Sequence, residues 1–324
     1  MSDRLRTLLA RWGLHDWAEG EEALLDLDSV QYLGRRVWDD YEPAQFDRFE
    51  SRLDRWLHNL DDEDDQLTLF RLLERLFFIG RPEFESLCRA AFHGPVTRWL
   101  VDQCNIDVAE AAAGGQIGTA VGQTWFCPAT DSMRINAFLK VNGLTGKSHR
   151  PEWRSLRKFG DVEKLKAYIE AERIQRLVLL EDFVGSGTQM GSVLRFAADN
   201  FPHLPVLACP LVVCPMGDEV CDQIATDHSM VSYEPALRIG ADTLIAVDPV
   251  DGEAPLHGKV RDLTQRVSGR LGPTEKDAAS QRHHGYKGTG AVVALYSNCP
   301  NNSMPILWDA TDSWKPLFPR LKRA

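Results

Sequence analysis

The sequence predicts an α/β fold, a mainly parallel sheet with helices on both faces, preceded by an α-helical N-terminal domain. Three observations carry that expectation. The first hundred residues space large apolar side chains as helices do; from Gly122 onward short apolar runs alternate with amphipathic segments; and residues 177–180 run into an acidic pair and a glycine-rich turn that opens another helix. The expected division is a helical region over 1–106 and an α/β domain over 107–324. At 324 residues and 44% hydrophobic content, the chain can fill one large core or two ordinary ones.

In the helical region, Phe46, Phe49, Leu53, Trp56, Leu57 and Leu60 fall at three-and-four spacing, which predicts one amphipathic helix over 46–60. The acidic run Asp61, Asp62, Glu63, Asp64, Asp65 suits a turn into the next helix, because negative charge is favourable beside the unpaired N–H groups of a helix start. Residues 66–79 are apolar on most sides and predict a buried helix. Pro82 suits the first position of a further helix carrying Phe84, Leu87, Cys88 and Ala91. Past the small-residue stretch 111–115, strands are expected at 122–129, 177–180, 206–213, 230–233, 243–247 and 291–296, and helices at 135–141, 161–171 and 193–198. The aperiodic stretch 269–290 reads as a loop long enough to be mobile or functional.

The formal net charge of -10 argues against a surface that embraces nucleic acid broadly, since phosphate binding needs clustered cations. The N-terminus shows no apolar signal core, and no stretch approaches the roughly 20 apolar residues that span a bilayer, so no membrane role is expected. Cys88, Cys104, Cys127, Cys209, Cys214, Cys221 and Cys299 are odd in number and contain no C-x-x-C pair. That pattern reads as reduced thiols in a cytoplasmic protein, without a zinc site.

The chemistry concentrates in Glu181-Asp182-Phe183-Val184-Gly185-Ser186-Gly187-Thr188-Gln189. A buried strand would deliver Glu181 and Asp182 to the carboxyl edge of the sheet, where ligands of open α/β folds sit. Two carboxylates there can hold ribose hydroxyls or Mg2+, which prefers oxygen ligands. The glycines allow close backbone approach, and the free amides of the following helix start make a phosphate pocket. A dinucleotide reading of Gly185, Gly187 and Gly191 fails, because two carboxylates directly before a pyrophosphate loop would repel it. Phe183 to Thr188 also looks like the first motif of S-adenosylmethionine-dependent amino-methyltransferases, Asp-Pro-Phe-x-Gly-Ser-Gly-Thr. Against that reading, Asp182 stands where the proline would be, and no Asp-Pro-Pro-Tyr or Asn-Pro-Pro-Tyr motif follows. The segment resembles more closely the loop of type I phosphoribosyltransferases, in which an acidic pair and a Thr/Ser-Gly turn cradle the 5-phosphate of phosphoribosyl pyrophosphate. Its departure is Gln189, where that family usually has threonine.

A second motif lies near the C-terminus: His284-Gly285-Tyr286-Lys287, an apolar strand, then Asn298-Cys299-Pro300-Asn301-Asn302-Ser303-Met304-Pro305-Ile306-Leu307-Trp308. With the first motif it resembles the phosphoribosyltransferase-like (PRTase-CE) proteins of bacterial conflict and anti-phage gene clusters, in which a Gly-Tyr segment, a strand and a Pro-Asn-Asn-(Thr/Ser)-x-Pro-x-x-Trp ending follow the phosphate loop. The resemblance covers most of the chain. It implies a transferase-type pocket for phosphoribosyl pyrophosphate or a related nucleotide or phosphosugar, with Mg2+ as cofactor and a defence role as effector or sensor.

On that resemblance Glu181 and Asp182 would hold the ribose hydroxyls and Mg2+ as the catalytic and metal-binding pair, and Gly185, Ser186, Gly187, Thr188 and Gln189 would grip the 5-phosphate. The turn of Thr130, Asp131 and Ser132, after the strand ending at 129, would meet pyrophosphate through its backbone. Lys287 in the candidate loop, with Asn301 and Asn302, are further candidate ligand contacts; Asn301 and Asn302 can equally tie down backbone groups. His283 and His284 share that loop with Lys287; a lid over an activated sugar phosphate would use such cations against the leaving pyrophosphate, and a solvated loop is the expectation. The basic run Lys147, His149, Arg150, Arg154, Arg157, Lys158 is assigned no role. Three functions stay open: a phosphoribosyltransferase; a non-catalytic module that senses a nucleotide and signals to a protein partner through the helical region; and, behind these, the S-adenosylmethionine-dependent methyltransferase. The acidic pair favours the first and Gln189 the second.

Overall fold

A computed structural model of the chain describes residues 2–12, 27–144, 162–272 and 283–321. It is α/β, with parallel sheets flanked by helices. The basic run over 147–158 and the centre of the stretch 269–290 lie outside the described residues. The described strands are β1 (Phe77–Ile79), β2 (Thr124–Pro128), β3 (Arg176–Val184), β4 (Val206–Val213), β5 (Val231–Tyr233), β6 (Leu237–Arg238) and β7 (Val293–Leu295).

The chain divides into two compact units, Met1–Arg81 with Ala241–Ala324, and Pro82–Gly240. This differs from a boundary at 106, because the first and last segments fold together and the sheet unit is inserted between them. Sequence periodicity reports local structure and carries no signal for which distant segments share a core.

In unit Pro82–Gly240, β2 to β6 form a parallel sheet in the order β2-β3-β4-β5, with β6 also pairing β4. All residues of β2 and β4 are buried, which is why both read as continuous apolar runs. One sheet face carries Trp125, Leu177, Leu179 and Ala208. These pack with Leu165, Leu194 and Ile224 from the helices Val162–Ala171, Thr188–Asn200 and Pro215–Asp227. On the other face Phe126 meets Phe92 at 6.1 Å and Phe138 at 5.9 Å, the latter on the helix Ile135–Val141. Along the edge, Glu234 and Ala236 donate to Ala208 and Pro210 of β4, so the missing N–H of Pro235 falls where it would have pointed away from the sheet. The helix Ala113–Gly122 gives little sequence signal, since four of its ten residues are glycine.

In the other unit, Tyr41, Trp56, Trp314 and Phe318 are buried in one core. The indole N–H groups of Trp56 and Trp314 both donate to the carbonyl of Ile306, tying the N-terminal helices to the C-terminal segment. Three expectations are corrected here. The helix expected over 46–60 is Phe49–Leu57; Phe46 is 95% exposed, because Arg48 adopts an extended ψ of 143° and starts the helix late. The buried helix expected over 66–79 ends at Arg71, and after one 3-10 turn the chain becomes β1, paired in parallel with β7. That pairing overrides the local helical pattern, and it places the expected strand 291–296 in this two-stranded sheet. Residues 243–247 form no strand; Ile245 instead donates to Gly290 at 2.9 Å after the turn Ala241–Thr243. Asp62 caps the helix Glu63–Arg71 by accepting from the amide of Asp65 at 2.9 Å, as the acidic run suggests.

Candidate functional site

The strand β3 runs through the acidic pair rather than stopping before it, and the loop proper starts at Gly185. Its neighbour β2 ends one position short of the pair, Pro128 lying opposite Leu180, and Ala129 makes the last ladder bond to Leu180 at 2.8 Å. Past that point the turn 130–132 meets β3 through side chains. Glu181 and Asp182 are both buried.

The carboxylate of Glu181 accepts from the amide of Thr130 at 2.8 Å, from the Thr130 hydroxyl at 2.5 Å and from the Ser132 hydroxyl. Asp182 accepts from the Ser132 hydroxyl at 2.9 Å and from the amide of Phe183 at 2.8 Å. Thr130 Oγ1 and Ser132 Oγ are 2.7 Å apart, and the Ser132 amide donates to Thr130 Oγ1 at 3.2 Å. The structure thus brings Thr130, Ser132, Glu181 and Asp182 together. It spends the amides of Thr130 and Ser132 inside the cluster, where the sequence suggested they would face pyrophosphate. Asp131 is exposed beside it.

Burial, and secondarily the negative charge of Asp182, raise the pKa of Glu181 to about 8, although the hydrogen bonds from Ser132 and Thr130 pull the other way. A proton count gives the same direction. Four close oxygen pairs join the two hydroxyls to each other and to the carboxylates, and the hydroxyls supply only two protons. A proton held by Glu181 supplies a third.

Beyond the pair, Ser186 Oγ lies 3.1 Å from Thr188 Oγ1, and Gly187 takes a left-handed φ of 74° to open the helix Thr188–Asn200. Gly187 has no side chain with which to cap this helix, so no N-cap hydrogen bond occupies its first amides. Thr188 is half-buried and Gln189 exposed; Gly185 and Ser186 are buried. The helix Pro215–Asp227 begins against the same loop. A Cβ on its Gly217 would come within 2.7 Å of Val184 Cγ1 and 2.8 Å of the Gly185 carbonyl, and one on Gly187 within 2.8 Å of Val220. These glycines allow helix and loop to pack. That packing role was not legible in the sequence, because Gly217 lies about thirty residues beyond the motif.

Lys287, Asn301 and Asn302 belong to the other unit. There Tyr286 donates its amide to Asn301 O at 2.8 Å, while the Asn302 side chain donates to Thr289 Oγ1 at 3.0 Å and Tyr286 O at 3.4 Å. Lys287 is exposed on a left-handed φ of 55°. His284 is buried rather than solvated, which corrects the expectation for that part of the loop: Gly290 donates to its carbonyl at 2.6 Å and closes residues 284–290 into a tight turn. Burial lowers the His284 pKa to about 4.

Among the described residues no helix is long and apolar enough to cross a membrane, and no group of three or more His, Cys, Asp or Glu side chains is arranged to hold a metal ion. No curated protein and no solved structure matches the chain. One family model does, over residues 53–320, a span that contains the acidic pair, its turn, the glycine loop and the Gly-Tyr and Pro-Asn-Asn segments: the chain belongs to the PRTase-CE family and is phosphoribosyltransferase-like.

Proposed function

We propose that the chain binds phosphoribosyl pyrophosphate, or a closely related phosphosugar or nucleotide, at the end of β3 and uses it in a transferase reaction. The observation that carries this reading is the side-by-side placement of a buried carboxylate pair and an uncapped helix start on one loop. The helix amides from Thr188 onward suit the 5-phosphate, with the Ser186 and Thr188 hydroxyls as additional donors. Glu181 and Asp182 suit ribose hydroxyls.

The pair also fits Mg2+ in donor type. The ion is commonly held by one or two carboxylates, with its remaining positions filled by water and substrate phosphate oxygens, so two protein carboxylates are enough. When bound it would neutralise charge on the pyrophosphate as that group leaves. The chain's own residues would position the sugar and stabilise the cationic character that develops at its anomeric carbon. An effector or sensor role in a bacterial defence system is part of the same proposal and rests on the family's setting. The exposed Gln189 supports the sensing variant, since an amide there can bind phosphate without turnover.

Calorimetry with phosphoribosyl pyrophosphate and Mg2+, run beside S-adenosylmethionine, tests the reading. Binding of the sugar phosphate that weakens at least tenfold in Asp182→Asn is the expected result. Binding of adenosylmethionine in its place would restore the methyltransferase reading and overturn this one.

A further inference from the structure

The two hydroxyls of the turn 130–132 are arranged as a ligand's hydroxyls would be. Thr130 Oγ1 and Ser132 Oγ stand 2.7 Å apart, and adjacent hydroxyl oxygens on a ribose ring are likewise near hydrogen-bonding distance of each other. Both lie within hydrogen-bond contact of Glu181, and Ser132 also reaches Asp182. Glu181, already accepting from three donors, has about one lone-pair direction left, and Asp182 Oδ1 already takes two donors, so a second pair of hydroxyls competes with the first at these atoms.

We propose that Thr130 and Ser132 act as an internal stand-in for the sugar diol, occupying the acidic pair in the free protein, so that a ribose ligand must displace the turn in order to bind. This rests on the sugar-phosphate reading above and adds a step of exchange to it. Three features make the exchange feasible. Thr130 is buried, but Ser132 is only half-buried and Asp131 between the two hydroxyls is exposed, so that end of the turn has solvent to move into. The β2–β3 ladder ends at Ala129, so displacing residues 130–132 breaks no strand pairing. The turn's hold on the pair is through two hydroxyls, which the ligand's diol would replace, and the Thr130 amide, which can stay on Glu181 while the hydroxyls swing away.

The consequence runs against the usual effect of deleting a polar residue in a binding site. Removing a competing hydroxyl leaves the carboxylates short of donors in the free protein, and the ligand then supplies them without first displacing the turn. Ser132→Ala is therefore expected to bind phosphoribosyl pyrophosphate and ribose 5-phosphate roughly ten to a hundred and fifty times more tightly than wild type, the range set by one hydrogen bond to a charged group. Thr130→Val, which keeps the amide bond to Glu181, should shift in the same direction. Inorganic pyrophosphate, which has no diol, should bind all three proteins alike.

Calorimetric titration of wild type, Ser132→Ala, Thr130→Val and Asp182→Asn with these three ligands separates the outcomes. Tighter sugar-phosphate binding in the two turn variants, with pyrophosphate unchanged, supports the exchange. Weaker or equal sugar-phosphate binding in both, with Asp182→Asn still impaired, overturns the stand-in and leaves the sugar-phosphate site intact. An equal gain for pyrophosphate also overturns it. Absence of sugar-phosphate binding in every protein overturns the parent reading as well.

Discussion

Ser132 holds Glu181 and Asp182 with a single hydroxyl, at 2.9 Å from Asp182 Oδ1 and in close contact with Glu181 Oε1. A single hydroxyl proton bridges two carboxylates best when one of them is neutral, the direction in which burial already moves Glu181.

A proton on Glu181 makes stability depend on pH. Glu181 has a folded pKa raised to about 8 against an ordinary value of 4.5. Its stabilising contribution is complete below the unfolded value and is lost as pH rises from there through the folded value. Glu181→Gln keeps a donor in the same place and cannot ionise. Relative to wild type, the unfolding free energy of this variant in urea titrations should improve as pH goes from 5 to 8, by on the order of a few kcal/mol at most. A flat difference between the two proteins would contradict it.

His284 gives the opposite slope. Its folded pKa is lowered to about 4 by burial first, with Arg261 and His283 adding repulsion and Asp248 opposing them. A histidine depressed in this way contributes stability that is complete above its unfolded value near 6.5 and lost as pH falls through about 4. Between those values the wild type should lose roughly 3 kcal/mol that His284→Gln does not lose, whatever the variant's baseline. Parallel pH profiles of the two proteins would show that the imidazole titrates freely.

Gly217 lies outside the 181–189 motif, yet the loop's shape depends on it. An added Cβ would meet backbone as well as side chain, with Val184 Cγ1 at 2.7 Å, the Gly185 carbonyl at 2.8 Å and the Val184 carbonyl at 3.0 Å, so little can give way. Gly217→Ala should cost about 1 to 3 kcal/mol in chemical denaturation and should weaken sugar-phosphate binding, because Gly185 carries the displacement into the loop. Unchanged affinity in a folded variant would show that the loop is insulated from that helix.

Gly285 explains why the two halves of the C-terminal motif occur together. It sits at φ 79°, and a Cβ there would lie 2.2 Å from the Asn302 carbonyl oxygen, so the Gly-Tyr and Asn-Asn segments cross backbone against backbone. Gly285→Ala should destabilise its unit by on the order of 3 kcal/mol or more, well beyond an ordinary surface change. A thermal midpoint within a degree of wild type would contradict the crossing.

Much of the sheet unit was legible because its strands announce themselves: residues 206–213 and 135–141 match β4 and the helix Ile135–Val141 end to end. Central parallel strands are apolar on both faces, and that signal is local. The strand, turn and helix over residues 177–198 were also legible, since an apolar run, a glycine-rich turn and an amphipathic segment follow one another directly. What was not legible depends on distant partners. β1 is a strand only because β7 lies beside it, and the hydroxyls of Thr130 and Ser132 reach Glu181 across about fifty residues of sequence. Gly217 and Gly285 likewise read as ordinary glycines until the chain that passes them is in place.

The most direct measurement is the electron density of crystals grown with phosphoribosyl pyrophosphate and Mg2+. The account predicts the 5-phosphate against the amides that begin the helix Thr188–Asn200, and the ribose hydroxyls on Asp182 and Glu181 with the Thr130 and Ser132 hydroxyls swung off the pair. A ligand bound elsewhere, leaving those carboxylates in contact with the turn, would contradict it.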